Sequence, residues 1–388
     1  MRKVNIKSDN NMSTVCLVYN GSTFNERKGI YGISHLMEHL IFKGTDKYMN
    51  IFQEDGIDSN AFTDSNRIVF YMTGLSKYIN KHKDSFIEGI TNFSLTEEVL
   101  QNEKNIVLQE YDDYFNEINS YHMLNLFRKK YGSYDPIGLK EDLKNLTLQD
   151  CMDFYKLQYA SPSNIVIVDK KVKTEIDPYV KTNYIGMLHD KFIYEPSNNF
   201  EKKVSFIALS QEIYDPKENM IMKIISNILS DGLNSPLYEE IREKLGLVYY
   251  IRMGIQKIFD EKSVLMFDTA STKENIPVIH NKLKEVFLNP DKYLTKSRFD
   301  IVMKSIDIDF QKLDCLKFGI PYIINEIADP EKSFKLNYKS ITFDDVQAVY
   351  KKYFVDGIDN WYFSSSDTEF NDVQIVSEKQ SWWKKLIK

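Results

Sequence analysis

The sequence predicts an α+β protein made of two related domains, and three observations lead to this prediction. The chain has 388 residues, enough for two or three domains of ordinary size. It aligns with itself at an offset of 195 residues. Helical patterns arrive in runs and do not alternate strictly with strands, which favours α+β over a doubly wound parallel sheet. We expect each domain to be a mainly antiparallel sheet packed with helices.

The internal repeat rests on two pairs of segments in one register. Residues 105–115 read NIVLQEYDDYF, and residues 300–310 read DIVMKSIDIDF. The same offset, without a gap, places 146–159 (LTLQDCMDFYKLQY) over 341–354 (ITFDDVQAVYKKYF). Two distant segments that share one register are a stronger indication than either match alone. The sequence therefore predicts a duplicated domain.

The boundary between the two domains is expected in a polar segment near the middle of the chain. Residues 169–203 are polar and contain Pro178 and Pro196, and proline interrupts regular structure. We predict a first domain over 1–185, a linker over 186–203 and a second domain over 204–388.

Hydrophobic periodicity gives the order of elements in the first half. Alternating or short continuous apolar runs predict strands, whereas apolar residues every three or four positions predict helices. The predicted strands are 15–19, 67–73 and 164–168. The predicted helices are 29–42, 77–92, 96–131 and 147–158. The second half has a similar coarse order, as a duplication requires.

Composition excludes several classes of protein. Hydrophobic residues make up 43% and charged residues 27%, an ordinary globular balance. With 50 basic and 56 acidic residues, the net charge of −6 excludes a nucleic-acid-binding polycation. No apolar run approaches the ~18 residues of a membrane span, and the first residues lack the apolar core of a signal peptide. We therefore expect a cytoplasmic protein without a membrane partner. Cys16, Cys151 and Cys315 are expected to be buried, reduced thiols.

The sharpest local signal is the run His35-Leu36-Met37-Glu38-His39. On a helix, His35 and His39 lie one turn apart, so both imidazoles can reach one metal ion. Glu38 lies on the same face, where it can take a proton from an activated water. The pattern H-x-x-E-H is the inverted zincin signature. The alternative is a pair of partly buried histidines beside a surface glutamate.

A hydrolytic zinc needs a third protein ligand and an open fourth position. A carboxylate suits the third position, because two neutral imidazoles and one carboxylate leave the site with about one positive charge. Glu103 and Glu110 lie seven residues apart on one predicted helix and face the same way. Spacing alone does not choose between these two and Glu97, Glu98 or Glu117.

Residues 103–110 read EKNIVLQE. With this segment and the H-x-x-E-H motif, the sequence resembles the pitrilysin family of inverted zincins, which includes insulin-degrading enzyme and mitochondrial processing peptidase. That family carries its third zinc ligand some 70–80 residues after its H-x-x-E-H motif, with another acidic residue seven before it in the pattern E-x-x-x-V-x-x-E. The interval from His39 to Glu110 falls within that range. The resemblance implies that Glu110 is the third zinc ligand and that Glu103 orients a ligand histidine.

Two more segments match motifs that contact substrate in this family. Asn60 and Ala61 begin a match to its N-A-x-T strand, whose backbone pairs with an extended peptide. Arg242 and Tyr249 begin and end a match to its R-x-x-x-G-L-x-Y block. The resemblance implies that this arginine and tyrosine hold the substrate and help to stabilise the oxyanion. Without it, Asn60 is a turn residue, and the other two are a helix salt bridge and a packed aromatic.

The repeat predicts one metal centre per chain, in the first domain. Shifted by the offset of the repeat, the four motif positions become Ser230, Leu233, Asn234 and Ser305, which do not form a comparable ligand set. We expect the second domain to keep the architecture and to supply substrate contacts.

The resemblance implies a zinc-dependent endopeptidase with one zinc per chain. Family members of this length pair with a second chain to form a closed chamber, so we expect a homodimer or a heterodimer with a related chain. Such a chamber admits peptides or unfolded segments as substrates. Two alternatives remain open, namely a catalytically silent structural or peptide-binding subunit of the same fold and a peptidase dedicated to one leader peptide or bacteriocin.

Overall fold

The computed structural model describes residues 2–8, 11–131, 135–160, 162–178, 203–259, 262–313 and 334–366. These residues form two compact units. The first consists of Met1–Tyr114, Lys130–Phe192 and Asp307–Leu336, and the second of Phe115–Lys129, Ile193–Ile306 and Asn337–Lys388. Each unit is therefore discontinuous along the chain, whereas the sequence predicted continuous ranges. The predicted linker 186–203 lies outside the described residues except for Lys203, so its bounds stay a prediction.

The first unit contains a six-stranded sheet in the order β3-β4-β2-β5-β1-β6. Its strands are β1 (Arg2–Lys7), β2 (Met12–Asn20), β3 (Asp58–Asp64), β4 (Arg67–Leu75), β5 (Asn164–Asp169) and β6 (Glu175–Ile176). All neighbours are antiparallel except β1 and β5, which are parallel. The predicted strands match β2, β4 and β5, and the segment matched to the N-A-x-T strand lies in β3. Strands β1 and β6 were not among the predicted strands.

One buried face of this sheet is rich in valine, whose β-branched side chain packs well on a pleated surface. One buried cluster consists of Val4, Cys16, Val18, Val69, Tyr71, Val166 and Val168. Cys16 and Cys151 are both buried and free, as expected for reduced thiols. Cys315 lies outside the described residues.

Thirteen α-helices are described. They are α1 (Ile33–Phe42), α2 (Asp46–Glu54), α3 (Ser76–Thr91), α4 (Glu97–Phe115), α5 (Ile118–Tyr131), α6 (Lys140–Asn145), α7 (Leu148–Gln158), α8 (Pro216–Ser230), α9 (Ile276–Leu288), α10 (Pro290–Tyr293), α11 (Lys296–Leu313), α12 (Phe334–Asn337) and α13 (Phe343–Tyr350). Within the described part of the chain, no helix is both long and apolar enough to span a membrane.

The single helix predicted over 96–131 is wrong, because it is divided into α4 and α5. Asn116 and Glu117 interrupt it at the point where the chain passes from the first unit to the second. The reason is tertiary, since α5 packs within the second unit. There His122 contacts the Ser205 hydroxyl at 3.0 Å and the Ser364 hydroxyl at 2.9 Å.

The second unit contains a four-stranded antiparallel sheet in the order β10-β7-β9-β8. Its strands are β7 (Val204–Leu209), β8 (Arg252–Phe259), β9 (Lys262–Ser271) and β10 (Tyr362–Ser365). Read from the opposite edge, the order is β8-β9-β7-β10. These four strands correspond in sequence to β3, β4, β2 and β5 of the first sheet, and neighbouring strands are antiparallel in both. The predicted α+β class, with two mainly antiparallel domains, is confirmed.

The elements also follow the spacing of the predicted repeat. Shifting β4 by the offset of the repeat gives 262–270, and β9 spans Lys262–Ser271. Helix α7 begins with a capping box between Thr147 and Asp150, and α13 begins with one between Thr342 and Asp345. These boxes satisfy free N–H groups at a helix start, and they are separated by the same offset. Both agreements are what a duplication at this offset predicts.

Helix α1 begins where two glycine backbones come together. Gly32 precedes the helix at φ 96°, and Gly138 precedes α6 at φ 72°. A Cβ atom on Gly138 would overlap the backbone of Gly32 and Tyr31. The close approach fixes the start of α1 against the segment that leads into α6.

We expect Gly138→Ala to lower the free energy of unfolding by about 3 kcal/mol, because it adds backbone overlap to the cost of a left-handed alanine. Gly56→Ala is the matched control, since Gly56 has φ 66° but no atom within 4 Å of its Cβ position. Its cost is expected to be about 1 kcal/mol. Urea unfolding of both variants measures the difference, and equal costs would contradict the close approach.

Candidate metal centre

Helix α1 presents its polar side chains on one face because its other side is buried. The buried residues are Ile33, Ser34, Leu36, Met37, Leu40 and Ile41. His35, Glu38 and His39 follow the opposite stripe and are only partly exposed. An amphipathic helix packed on its apolar side therefore carries the whole H-x-x-E-H motif on the side that faces away from the core.

The start of α1 is capped by a side chain from outside the helix. Oε2 of Glu26 accepts the N–H of Gly32 and Oε1 accepts the N–H of Ser34, each at 2.9 Å. Helix α1 has no side-chain cap of its own, so Glu26 satisfies its free N–H groups. This side chain is only 2% exposed, and burial raises its pKa to about 7.

Glu110 of α4 meets both histidines of α1. Its Oε2 lies 3.4 Å from Nε2 of His35 and 3.7 Å from Nε2 of His39. The two imidazole rings are 4.9 Å apart and nearly perpendicular. One ligand atom from each of the three side chains lies within 4.8 Å of the others. Within the described residues, no second group of three His, Cys, Asp or Glu side chains comes together in this way.

The donor atoms fit a zinc ion. Bonds of about 2.0–2.1 Å in tetrahedral geometry place two zinc ligands about 3.3 Å apart, close to the distances between Glu110 and the histidines. Two imidazoles and one carboxylate also make a common ligand set for catalytic zinc. The carboxylate side is the more open one, because the Glu110 side chain is 46% exposed. Water can therefore reach the ligand set from this side.

Glu103 contacts His39, one of the two histidines that lie near Glu110. Oε2 of Glu103 lies 3.3 Å from Nδ1 of His39, and an ionised carboxylate at that place favours the tautomer that carries its proton on Nδ1. That tautomer leaves Nε2 of His39, which faces Glu110, free to bind a metal. The other carboxylate oxygen of Glu103 lies 3.2 Å from Nζ of Lys43.

The titration of the other two motif residues suits a metal centre. Burial lowers the pKa of His35 to about 4, with a smaller contribution from His39. His35 is therefore neutral at neutral pH and ready to act as a ligand. Burial also raises the pKa of Glu38, although the Thr63 hydroxyl donates a 2.7 Å hydrogen bond to its carboxylate. A carboxylate with a raised pKa is a better base than an ordinary surface glutamate.

Asn60 and Ala61 lie on β3, the outermost strand of the first sheet. Asn60 is exposed, and its side-chain oxygen accepts the N–H of Ala61 at 2.9 Å. The same strand carries Thr63, whose hydrogen bond to Glu38 places this sheet edge next to the metal centre. Because an edge strand has unpaired backbone groups, β3 can accept an extended peptide beside the centre.

Arg242 and Tyr249 lie close to each other in the second unit. The Arg242 guanidinium lies 4.5 Å from the centre of the Tyr238 ring and 5.3 Å from that of Tyr249. Arg242 belongs to a π-helical turn, Tyr238–Glu243, and the Tyr249 side chain is 81% exposed. The two residues are therefore adjacent and accessible, and their role toward a substrate stays a prediction.

The sequence did not single out three residues that support the site. Glu26, Lys43 and Thr63 contact the start of α1, the buried Glu103 carboxylate and the candidate base, respectively. Each contact joins separate elements, so no local pattern predicts the contact itself. Thr63 ends the N-A-x-T match, but the match does not indicate its hydrogen bond to Glu38. For Glu26 the sequence signal is indirect, because α1 lacks a capping residue of its own and a buried capping partner must come from elsewhere.

Two family models match the chain. The model described as insulinase, peptidase family M16, matches residues 3–133, and the model described as the peptidase M16 inactive domain matches residues 189–304. The first range contains the four motif residues around the candidate metal centre, and the second contains Arg242 and Tyr249.

Known proteins with similar sequences and structures are named as proteases. The zinc protease PqqE of Helicobacter pylori is 24% identical over 65% of this chain and 63% of its own length. A Bacillus subtilis protein named as the uncharacterized zinc protease YmxG is 26% identical over 58% of this chain and 60% of its own length. The chain thus spans less than two thirds of these relatives. The crystal structure of a protease from Helicobacter pylori superposes with a TM-score of 0.70 at 18% identity, covering 94% of this chain and 96% of that one.

The stability of the first unit should depend on pH through Glu26. Its raised pKa of about 7 means that the folded state holds this proton more tightly than the unfolded chain does. The free energy of unfolding should therefore fall as the pH rises from about 4.5 to about 7. Glu26→Gln should remove this contribution, so that the variant gains stability relative to the native chain over that range. Thermal unfolding at several pH values measures the difference, and a difference independent of pH would contradict the raised pKa.

Proposed function

The chain belongs to the insulinase family of peptidases, family M16, and from this we propose that it is a zinc-dependent endopeptidase with one zinc per chain. The observation that carries the proposal is the convergence of His35, His39 and Glu110, with Glu38 on the same helix face as the histidines. Relatives named as zinc proteases support the same function.

Each residue of the site would have its own role in hydrolysis. His35, His39 and Glu110 would hold the zinc, which supplies a Lewis acid that activates water and polarises the scissile carbonyl. Glu38 accepts a proton from the attacking water and then delivers it to the leaving amine. Burial raises the pKa of this carboxylate, which favours its uptake of a proton. Glu103 holds the His39 ring in the orientation and tautomer that metal binding needs.

The proposed substrates are peptides or unfolded segments in extended form. The edge of β3, with Asn60 and Ala61, would pair with the peptide backbone and would therefore read its shape more than its side chains. Arg242 and Tyr249 would hold the substrate from the second half of a chain and help to stabilise the oxyanion. A dimer, with itself or with a related chain, would close a chamber that excludes folded proteins.

Two alternatives were open from the sequence. A catalytically silent subunit of the same fold is disfavoured, because a subunit without activity has no need for a converging set of two histidines, a third ligand and a partly buried base. A peptidase dedicated to one leader peptide or bacteriocin would use the same centre, and it differs only in substrate range. A cytoplasmic location stays a prediction.

We expect Glu38→Gln to keep zinc but to lose turnover by about three orders of magnitude or more, because the ligands remain while the base is removed. His39→Ala should lose the zinc itself. Glu54→Gln, an exposed change at the end of α2, is the control and should keep both. Zinc content after dialysis and cleavage of a fluorogenic peptide library are the measurements. Full turnover by a zinc-loaded Glu38→Gln chain would overturn the assignment of the base.

The dimer can be tested by mixing two inactive variants. If Arg242 and Tyr249 serve the partner's zinc centre, a mixture of Glu38→Gln and Arg242→Ala chains forms heterodimers with one intact site. Activity should then recover to about a quarter of the native value at equal mixing, since half the dimers are mixed and each has one working site. Variants kept separate are the control. Co-refolded chains that form mixed dimers yet show no activity would contradict the arrangement.

A further inference from the structure

The Glu103 carboxylate is a buried charge whose two oxygens have different partners. It is 4% exposed, and a buried carboxylate is stable only when it is paired. Its Oε2 faces Nδ1 of His39 at 3.3 Å, and its Oε1 faces Nζ of Lys43 at 3.2 Å. The lysine and the histidine therefore hold opposite ends of one carboxylate. The hydrogen bond from Lys43 to Glu103 also raises the pKa of the lysine, which stays charged.

The backbone that carries Lys43 is held firmly. Lys43–Thr45 form a 3-10 turn directly after α1, and the Thr45 hydroxyl donates to the carbonyl of Phe42 at 2.7 Å. Gly44 lies so close to Gly89 of α3 that a Cβ atom would overlap the Gly89 carbonyl. The backbone from which the Lys43 side chain reaches Glu103 is thus held by packing next to the residue.

We propose that Lys43 is a positioning residue for the metal centre, which turns Glu103 so that one carboxylate oxygen faces His39 and the Nε2 atom of His39 faces the metal. This inference rests on the proposed zinc function. Without the lysine, Oε1 would lose its charged partner, and the carboxylate would be free to rotate away from the imidazole. The zinc ligand would then lose the hydrogen bond that sets its orientation and tautomer.

Space for that rotation exists beside the pair. Lys43 and Glu103 line a cavity of about 540 Å³, whose wall also includes Asn92, Ser94 and Asn102. These three polar residues are exposed, so water can reach the cavity. A methionine at position 43 therefore fits without overpacking, and the released carboxylate oxygen can turn toward water. The substitution tests the charge contact and not the packing of the fold.

Two simpler roles of the lysine predict different results. The Lys43 side chain is 46% exposed, and an ordinary ion pair at such a surface contributes little, so its loss would leave zinc affinity unchanged. If the lysine acted only as a nearby positive charge, its removal would strengthen binding of a divalent cation. Of the three roles, only positioning predicts that zinc binding weakens when a positive charge beside the centre is removed.

Zinc affinities of the full chain, measured by competition with a chromogenic chelator, distinguish these roles. Lys43→Met should weaken zinc binding by about tenfold, the lower end of the range for partners that orient metal ligands. Lys43→Arg should restore most of the affinity, because a guanidinium can donate to the same oxygen. Lys47→Met is the matched control. Lys47 is 56% exposed and pairs with Glu88 at 3.1 Å, so its replacement removes an equal charge nearby without touching Glu103.

We also expect the effect of Lys43 to depend on Glu103. In a Glu103→Gln chain, adding Lys43→Met should change zinc affinity by less than about twofold, since the carboxylate to be positioned is gone. Melting temperatures of the zinc-free variants check that the folds are equally stable. Unchanged or tighter zinc binding by Lys43→Met overturns the inference alone. A native chain that binds no zinc overturns both the inference and the proposed function.

Discussion

Helix α1 is held at both ends by close approaches between glycine backbones, and the geometry of the metal centre depends on this constraint. Gly32 meets Gly138 at its start, and Gly44 meets Gly89 just after its end. Neither approach leaves room for a Cβ atom on the crowded glycine. With the helix fixed along its axis, the two imidazoles stay at the height where Glu110 of α4 reaches both. A shift of one residue along α1 would move each ring by about 1.5 Å along the axis and by about 100° around it, and the ligand set would separate.

Three buried or partly buried carboxylates lie on helix α1 or contact it. Burying a charged carboxylate without partners costs free energy, so the partners of each one matter. Glu26 is stabilised by N–H groups at the helix start, and Glu103 by His39 and Lys43. Glu38 accepts a hydrogen bond from the Thr63 hydroxyl at 2.7 Å, and its pKa is raised. Burial raises the pKa of Glu26 as well as that of Glu38, but only Glu38 lies on the helix face that carries the two histidines. The helix therefore combines ligands held by packing with a carboxylate that can accept a proton.

Local spacing was enough to predict the parts of this arrangement that lie on one element. The i, i+4 pair His35 and His39 needs only a helix, and the strand and helix patterns indicated the α+β class. The choice of Glu110 needed the resemblance, because several glutamates of α4 are equivalent by spacing. Glu26 and Lys43 were out of reach, since their partners come from separate elements that only the folded chain brings together. The break after Phe115 was missed for the same reason, because it is the second unit that holds α5.

Whether His35, His39 and Glu110 together bind one zinc ion can be measured by X-ray absorption at the zinc edge. We expect one zinc per chain with two imidazole nitrogens and oxygen ligands at about 2.0–2.1 Å. His35→Ala should remove one imidazole from that spectrum or abolish binding. A spectrum with sulfur ligands at about 2.3 Å, or one that His35→Ala leaves unchanged, would contradict this ligand set.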